Sequence, residues 1–164
     1  RAVLIRLLLL GFLCFPALAG AASCDVANEY KSICLAAEKG DAGAQTLLGM
    51  MYYFGDGAKQ DYHNAFQWFE KSAKQGNANA QELLGVMYYN GQGVKQDYHK
   101  SFQWCEKSAK QGNANAQVSL GVKYVTGIGV RQNYYLAKKW FGKACDKGEQ
   151  DGCDMYKKIK QLGY

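Results

Sequence analysis

Apolar residues recur along this chain with helical spacing, and the same succession of elements returns every 36 residues. Beginning at residue 41, Ala44, Leu48 and Tyr52 fall at every fourth position, which puts them on one face of a helix. A second apolar set, Phe66, Phe69 and Ala73 with Trp68 beside it, predicts another helix farther along. Between the sets lies Gly55-Asp56-Gly57, repeated as Gly91-Gln92-Gly93 and Gly127-Ile128-Gly129. Two glycines in three residues end the first helix and allow positive φ in the turn. Gly76, Gly112 and Gly148 close the second helix, and Asp41, Asn77 and Asn113 stand where the next helix needs an N-cap.

Residues 41–76, 77–112 and 113–148 are three copies of this helix–turn–helix unit with no insertion between them. The first two agree at 26 of 36 positions and the last two at 17, so each copy reads as one supersecondary unit stacked on the next. The fold class predicted is all-α, an α-solenoid. In first-copy numbers, the positions identical in all three copies are Ala42, Ala44, Gln45, Leu48, Gly49, Tyr52, Gly55, Gly57, Gln60, Tyr62, Trp68, Lys71 and Gly76. Small members let helices approach closely, while Leu48, Tyr52 and Trp68 are expected to fill the space between hairpins. Residues 23–40 and 149–164 read as half-unit capping helices. The first aligns with a second helix, Tyr30 falling at the Phe66 position and Ala37 at the Ala73 position. The last aligns with a first helix in which Lys157 replaces the shared glycine and Lys160 the shared tyrosine, giving the polar outer face that a terminal repeat needs.

Composition refines this without changing it. With 48% hydrophobic and 21% charged residues in 164, the chain suits one ordinary domain and shows no disorder signature. Residues 1–22 differ in character: Arg1 and Arg6 precede the apolar run Leu7 to Leu13, and small residues from Ala17 to Ala22 follow. That order is expected of a secretory signal peptide, with an apolar stretch too short to span a bilayer. Without it, basic residues exceed acidic ones by four. The lysines are spread along each repeat, as a solvated helix face has them, and not clustered for nucleic acid. Export would favour disulfides between cysteines near in sequence. Cys24, Cys34, Cys105, Cys145 and Cys153 then remain, an odd number, and Cys105 has no cysteine near it.

The string Ala44-x-x-x-Leu48-Gly49-x-x-Tyr52-x-x-Gly55-x-Gly57, followed by Asp61, Ala65, Trp68, Ala73 and Gly76, resembles the Sel-1-like repeat, a relative of the tetratricopeptide arrays. The resemblance covers residues 41–148. Cys145 and Cys153, eight apart across a repeat junction, are similar to the cysteine pair of the secreted, cysteine-rich branch of that family. There such a pair joins the second helix of one unit to the first helix of the next, which implies a Cys145–Cys153 disulfide here. That branch binds, and in some members slowly hydrolyses, penicillin-type antibiotics, so a weak β-lactamase or penicillin-binding activity is the alternative it implies. The earlier copies carry Ala73 and Gln81, then Ala109 and Gln117, at the paired positions. Cys24 and Cys34, ten apart, do not follow this spacing; a bridge clamping the entry segment onto the first helix is expected of them.

Catalytic chemistry finds little support. His63 and His99 are the only histidines and occupy one repeat position in two copies, as inherited scaffold does, and two histidines alone do not complete a zinc site. No metal and no cofactor is expected. No serine has a lysine three residues on, and Lys-Thr-Gly does not occur. Gly-x-Gly follows a helix and not a strand, so it is no phosphate loop. What remains is surface. In the related tetratricopeptide geometry the first helices line a concave groove. The resemblance maps its positions onto Thr46, Met50, Tyr53 and Phe54, then Glu82, Val86, Tyr89 and Asn90, then Val118, Val122, Val125 and Thr126. Most of these vary between copies while the packing positions stay fixed. An exported, monomeric, non-enzymatic module of the periplasm or exterior is expected, binding a protein or peptide in this groove, with no nucleic acid and no membrane partner.

Overall fold

A computed structural model describes residues 25–164. The expected signal peptide and Cys24 lie outside the described residues. A 3₁₀ turn at Asn28–Tyr30 leads into α1 (Lys31–Glu38). Three hairpins follow: α2 (Ala42–Phe54) with α3 (Tyr62–Lys74), α4 (Ala78–Asn90) with α5 (Tyr98–Lys110), and α6 (Ala114–Thr126) with α7 (Tyr134–Asp146). The final helix, α8 (Gln150–Gln161), packs on α7. Each helix packs chiefly on its neighbours in sequence, as an α-solenoid requires.

The local chemistry repeats as closely as the sequence does. Asp41, Asn77 and Asn113 accept hydrogen bonds from the backbone N–H of Ala44, Ala80 and Ala116. The second helices are capped in the same way by Asp61, Asp97 and Asn133. Each cap satisfies an otherwise orphaned first-turn donor. The two turn glycines serve different ends. Gly55, Gly91 and Gly127 are left-handed C-caps. At Gly93 and Gly129 space decides the residue, because a Cβ would stand 2.1 Å from the Tyr62 or Tyr98 carbonyl oxygen of the preceding repeat.

The core fills the hairpin interiors in two clusters, one from Ala37 to Met87 and one from Cys105 to Ile159. Leu48, Leu84 and Leu120 are fully buried, as are Phe69 and Phe141. Junctions between repeats are closed by aromatic pairs, Phe66 on Tyr88 and Phe102 on Tyr124, both edge-to-face. They are also closed by the invariant glutamines: Gln45, Gln81 and Gln117 are buried and donate to the carbonyls of Ala37, Ala73 and Ala109 one helix back. Two of the three tryptophans are buried in the core, as their packing role requires. Trp68 and Trp140 reach 9% exposure and Trp104 is only partly buried. Lys71, Lys107 and Lys143 cover their rings at 4.0–4.3 Å. The invariant lysine is therefore a cation–π lid and not merely solvated charge.

Candidate functional site

The first helices α2, α4 and α6 carry the expected groove positions, and the structure separates them by depth. Met50, Phe54, Tyr89, Asn90, Val122 and Thr126 are exposed, while Tyr53, Glu82, Val86, Val118 and Val125 are partly buried. Thr46 departs from expectation. It is buried inside its own hairpin, its hydroxyl donating to the Ala42 carbonyl and lying 2.7 Å from Ser72 Oγ. A short hydroxyl one turn into α2 finds its partners within the helix pair and does not reach the surface. Tyr53 bridges repeats instead, donating to Gln92 Oε1 at 2.8 Å and packing edge-on against Phe54 and Tyr62.

Five of the twelve positions meet at one place. Val86 and Tyr89 of α4 and Val118, Val122 and Thr126 of α6 line a cavity of about 270 Å³. Gly85, Cys105, Ser119, Lys123 and Ile128 complete it; none of these was among the expected groove residues. Tyr89 and Val122 are exposed, so the cavity opens to the surface.

Its origin can be read from the copies themselves. In the first and third repeats a phenylalanine from the second helix lies across the shared glycine. A Cβ on Gly49 or Gly121 would stand 2.6 Å from the ring of Phe69 or Phe141. The second repeat keeps the glycine, Gly85, but places Cys105 where the ring should be. A Cβ there would meet nothing nearer than 3.3 Å. Two neighbours change with it: Ser101 stands for Ala65 and Ala137, and Lys123 for Met51 and Met87. Lys123 is in contact with Ser101 and lines the cavity together with Cys105. Lys123 is 7% exposed, its Nζ 2.8 Å from Ser101 Oγ and 4.8 Å above the Tyr89 ring. Ser101 in turn donates a hydrogen bond to the Gly85 carbonyl at 2.6 Å.

Burial governs the electrostatics. It holds the Lys123 ammonium below the ordinary lysine range and pushes the Cys105 thiol up to about 12, which leaves Cys105 a protonated, unreactive group at neutral pH. Cys105 Sγ donates to the Ala116 carbonyl at 3.2 Å. Glu82, nearby on α4, has its carboxyl raised by burial. Among the described residues the ion pairs are Lys74–Glu70 and Lys110–Glu106, and Lys123 has no carboxylate at that distance.

Elsewhere, Cys145 and Cys153 form a disulfide joining α7 to α8, and Cys105 is a free, buried thiol. Cys34 is buried in α1. His63 and His99 lie on α3 and α5, exposed and beside Gln67 and Gln103 at 3.0 Å. Among the described residues no three histidine, cysteine or acidic side chains are grouped as a metal site would need.

The stacked hairpins and their shared junctions match a known family along most of the chain. Residues 42–77, 78–113 and 114–149 each match the Sel1 repeat. The chain belongs to the Sel1 repeat family. Sel1 repeat proteins are helical scaffolds generally involved in protein–protein interaction. The solved structures agree. A protective antigen of uropathogenic Escherichia coli strains displaying an SLR fold is 38% identical, with a TM-score of 0.79 over 81% of this chain. The match spans 28% of that antigen's length. A Sel1 repeat protein from Oxalobacter formigenes is 36% identical, with a TM-score of 0.73 over 79% of this chain and 98% of its own. The cysteine-rich protein B of Helicobacter pylori is 28% identical, with a TM-score of 0.63 over 77% of this chain and 96% of its own. No curated protein matches the chain.

Proposed function

We propose that this protein is an exported Sel1 repeat scaffold that holds an extended segment of a partner protein along the face formed by α2, α4 and α6. The observation that carries the reading is the line of exposed apolar side chains on successive first helices. Met50 and Phe54 of α2, Tyr89 of α4 and Val122 of α6 all remain between 36% and 62% exposed. Large apolar side chains gathered on one face of a soluble domain mark an interaction surface. The Cys145–Cys153 bridge supports export, because disulfides persist in oxidising compartments.

The test is crosslinked capture of a partner by the oxidised protein from periplasm and culture medium. Changing Met50, Phe54, Tyr89 and Val122 together to serine should abolish capture at unchanged helical circular dichroism. Reversing the charge of Lys74 and Lys110, which pair with Glu70 and Glu106 on the second helices, should leave it intact. Capture surviving the first change would place the binding face elsewhere. A chromogenic cephalosporin assay on the same preparations separates a scaffold from an antibiotic hydrolase: turnover that the serine changes leave untouched would favour the hydrolase.

A further inference from the structure

The cavity beneath Tyr89 is an unusual thing to build into a packing layer. Two of its three peculiar residues are polar, and one is a lysine more than nine-tenths buried in a place where the sister repeats carry methionine. Placing an amine there is unfavourable unless something compensates. Ser101 accepts one of its protons, and the Tyr89 ring covers it. The remaining donor capacity has no carboxylate within ion-pair distance among the described residues. Beside the amine lies about 270 Å³ of space, its apolar wall formed by Val86, Val118, Val122 and Ile128. That volume falls just under the range of ligand pockets and suits one residue better than a large ligand.

From these features we infer that the cavity between α4 and α6 receives the C-terminal residue of the bound segment, its carboxylate meeting Lys123 and its apolar side chain filling the space that Cys105 leaves open. A chain end suits the site better than an internal aspartate or glutamate. It brings a carboxylate and an apolar side chain on the same carbon, and it needs no exit for the following residue. The amine supplies an anion's partner in a site of low dielectric, where such a bond is strong. Cys105 acts by its small size; its thiol is spent on the Ala116 carbonyl. The inference rests on the proposed binding face and names the anchor within it.

The test uses the oxidised protein and titrates N-acetylated pentapeptides of a constant Gly-Ser body ending in alanine, leucine or phenylalanine. Each is compared with its C-terminal amide, and hexanoate serves as a free carboxylate. The leucine or phenylalanine acid should bind at least tenfold more tightly than its amide and than hexanoate. In Lys123→Met, which keeps an unbranched side chain one heavy atom shorter and without charge, the acid-to-amide ratio should fall toward one. In Cys105→Phe, which restores the ring of the other repeats, acid and amide should both lose binding, with circular dichroism unchanged. Equal binding of acid and amide, a ratio that survives Lys123→Met, or no binding of any peptide would overturn the assignment. Hexanoate binding as tightly as the peptides would overturn it too, in favour of a small-carboxylate site. Partner capture by the Cys105→Phe protein keeps the two readings apart: capture that persists there but is lost in the Met50, Phe54, Tyr89 and Val122 variant would leave the binding face standing without the anchor.

Discussion

Lys123 shows how much one position can say once its neighbours are known. It lies on α6 at the place of Met51 and Met87, surrounded by packing residues. Burial lowers its affinity for a proton relative to the unfolded chain. The unfolded state then binds more protons between the folded value and the ordinary lysine value of 10.5, so the folded state gains stability as pH rises through that window. At neutral pH the full cost of the buried ammonium is present. Lys123→Met should accordingly be more stable than the parent at pH 7, by roughly 1 kcal/mol. The gain should shrink as denaturation is repeated toward pH 10. A variant less stable at pH 7 would mean that the bond to Ser101 and the Tyr89 contact outweigh desolvation. The sequence already displays Ser101, Cys105 and Lys123 as departures from their copies. Their meeting at one spot was not legible there, because Lys123 comes from one repeat and the other two from the repeat before.

At the scale of the element, helices, caps and turns follow directly from the repeated pattern. Asp41, Asn77 and Asn113 cap as expected. The three Gly-x-Gly turns end α2, α4 and α6 with their first glycine left-handed. Less was legible in what the polar invariants do. Gln45 repeats visibly, but its partner is a backbone carbonyl eight residues upstream in the preceding helix, a choice that no side-chain pattern encodes. Lys71 reads as surface charge until Trp68 is found beneath it. The last junction relies on covalent help. Along α8 the fully buried apolar residue is Ile159 at 2% exposure, and the Cys145–Cys153 bridge ties the start of that helix to α7. Closing so short a loop contributes roughly 2–3 kcal/mol. Cys153→Ser should cost about that much in oxidising buffer and nothing in reducing buffer, with amide exchange rising first in α8. An equal loss in both buffers would show that packing at Cys153, and not the bridge, is responsible.

Across the whole molecule, three hairpins of one pattern share a set of packing positions, while surface and cavity residues differ between them. Twelve groove positions were read through one shared helix geometry. That geometry puts Met50, Phe54 and Tyr89 off the helix pair, and their side chains are exposed. It fails at Thr46, whose hydroxyl turns inward to Ser72. The cavity escaped it because a cavity arises from a residue that is too small on a neighbouring helix, Cys105, and not from the helix being read. The claim that the first-helix face binds a partner segment is tested most directly by hydrogen exchange on the oxidised protein, alone and crosslinked to its captured partner. Protection gained along α2, α4 and α6, strongest around Tyr89 and Val122, is the result this account predicts. Protection confined to α3, α5 and α7 would contradict it.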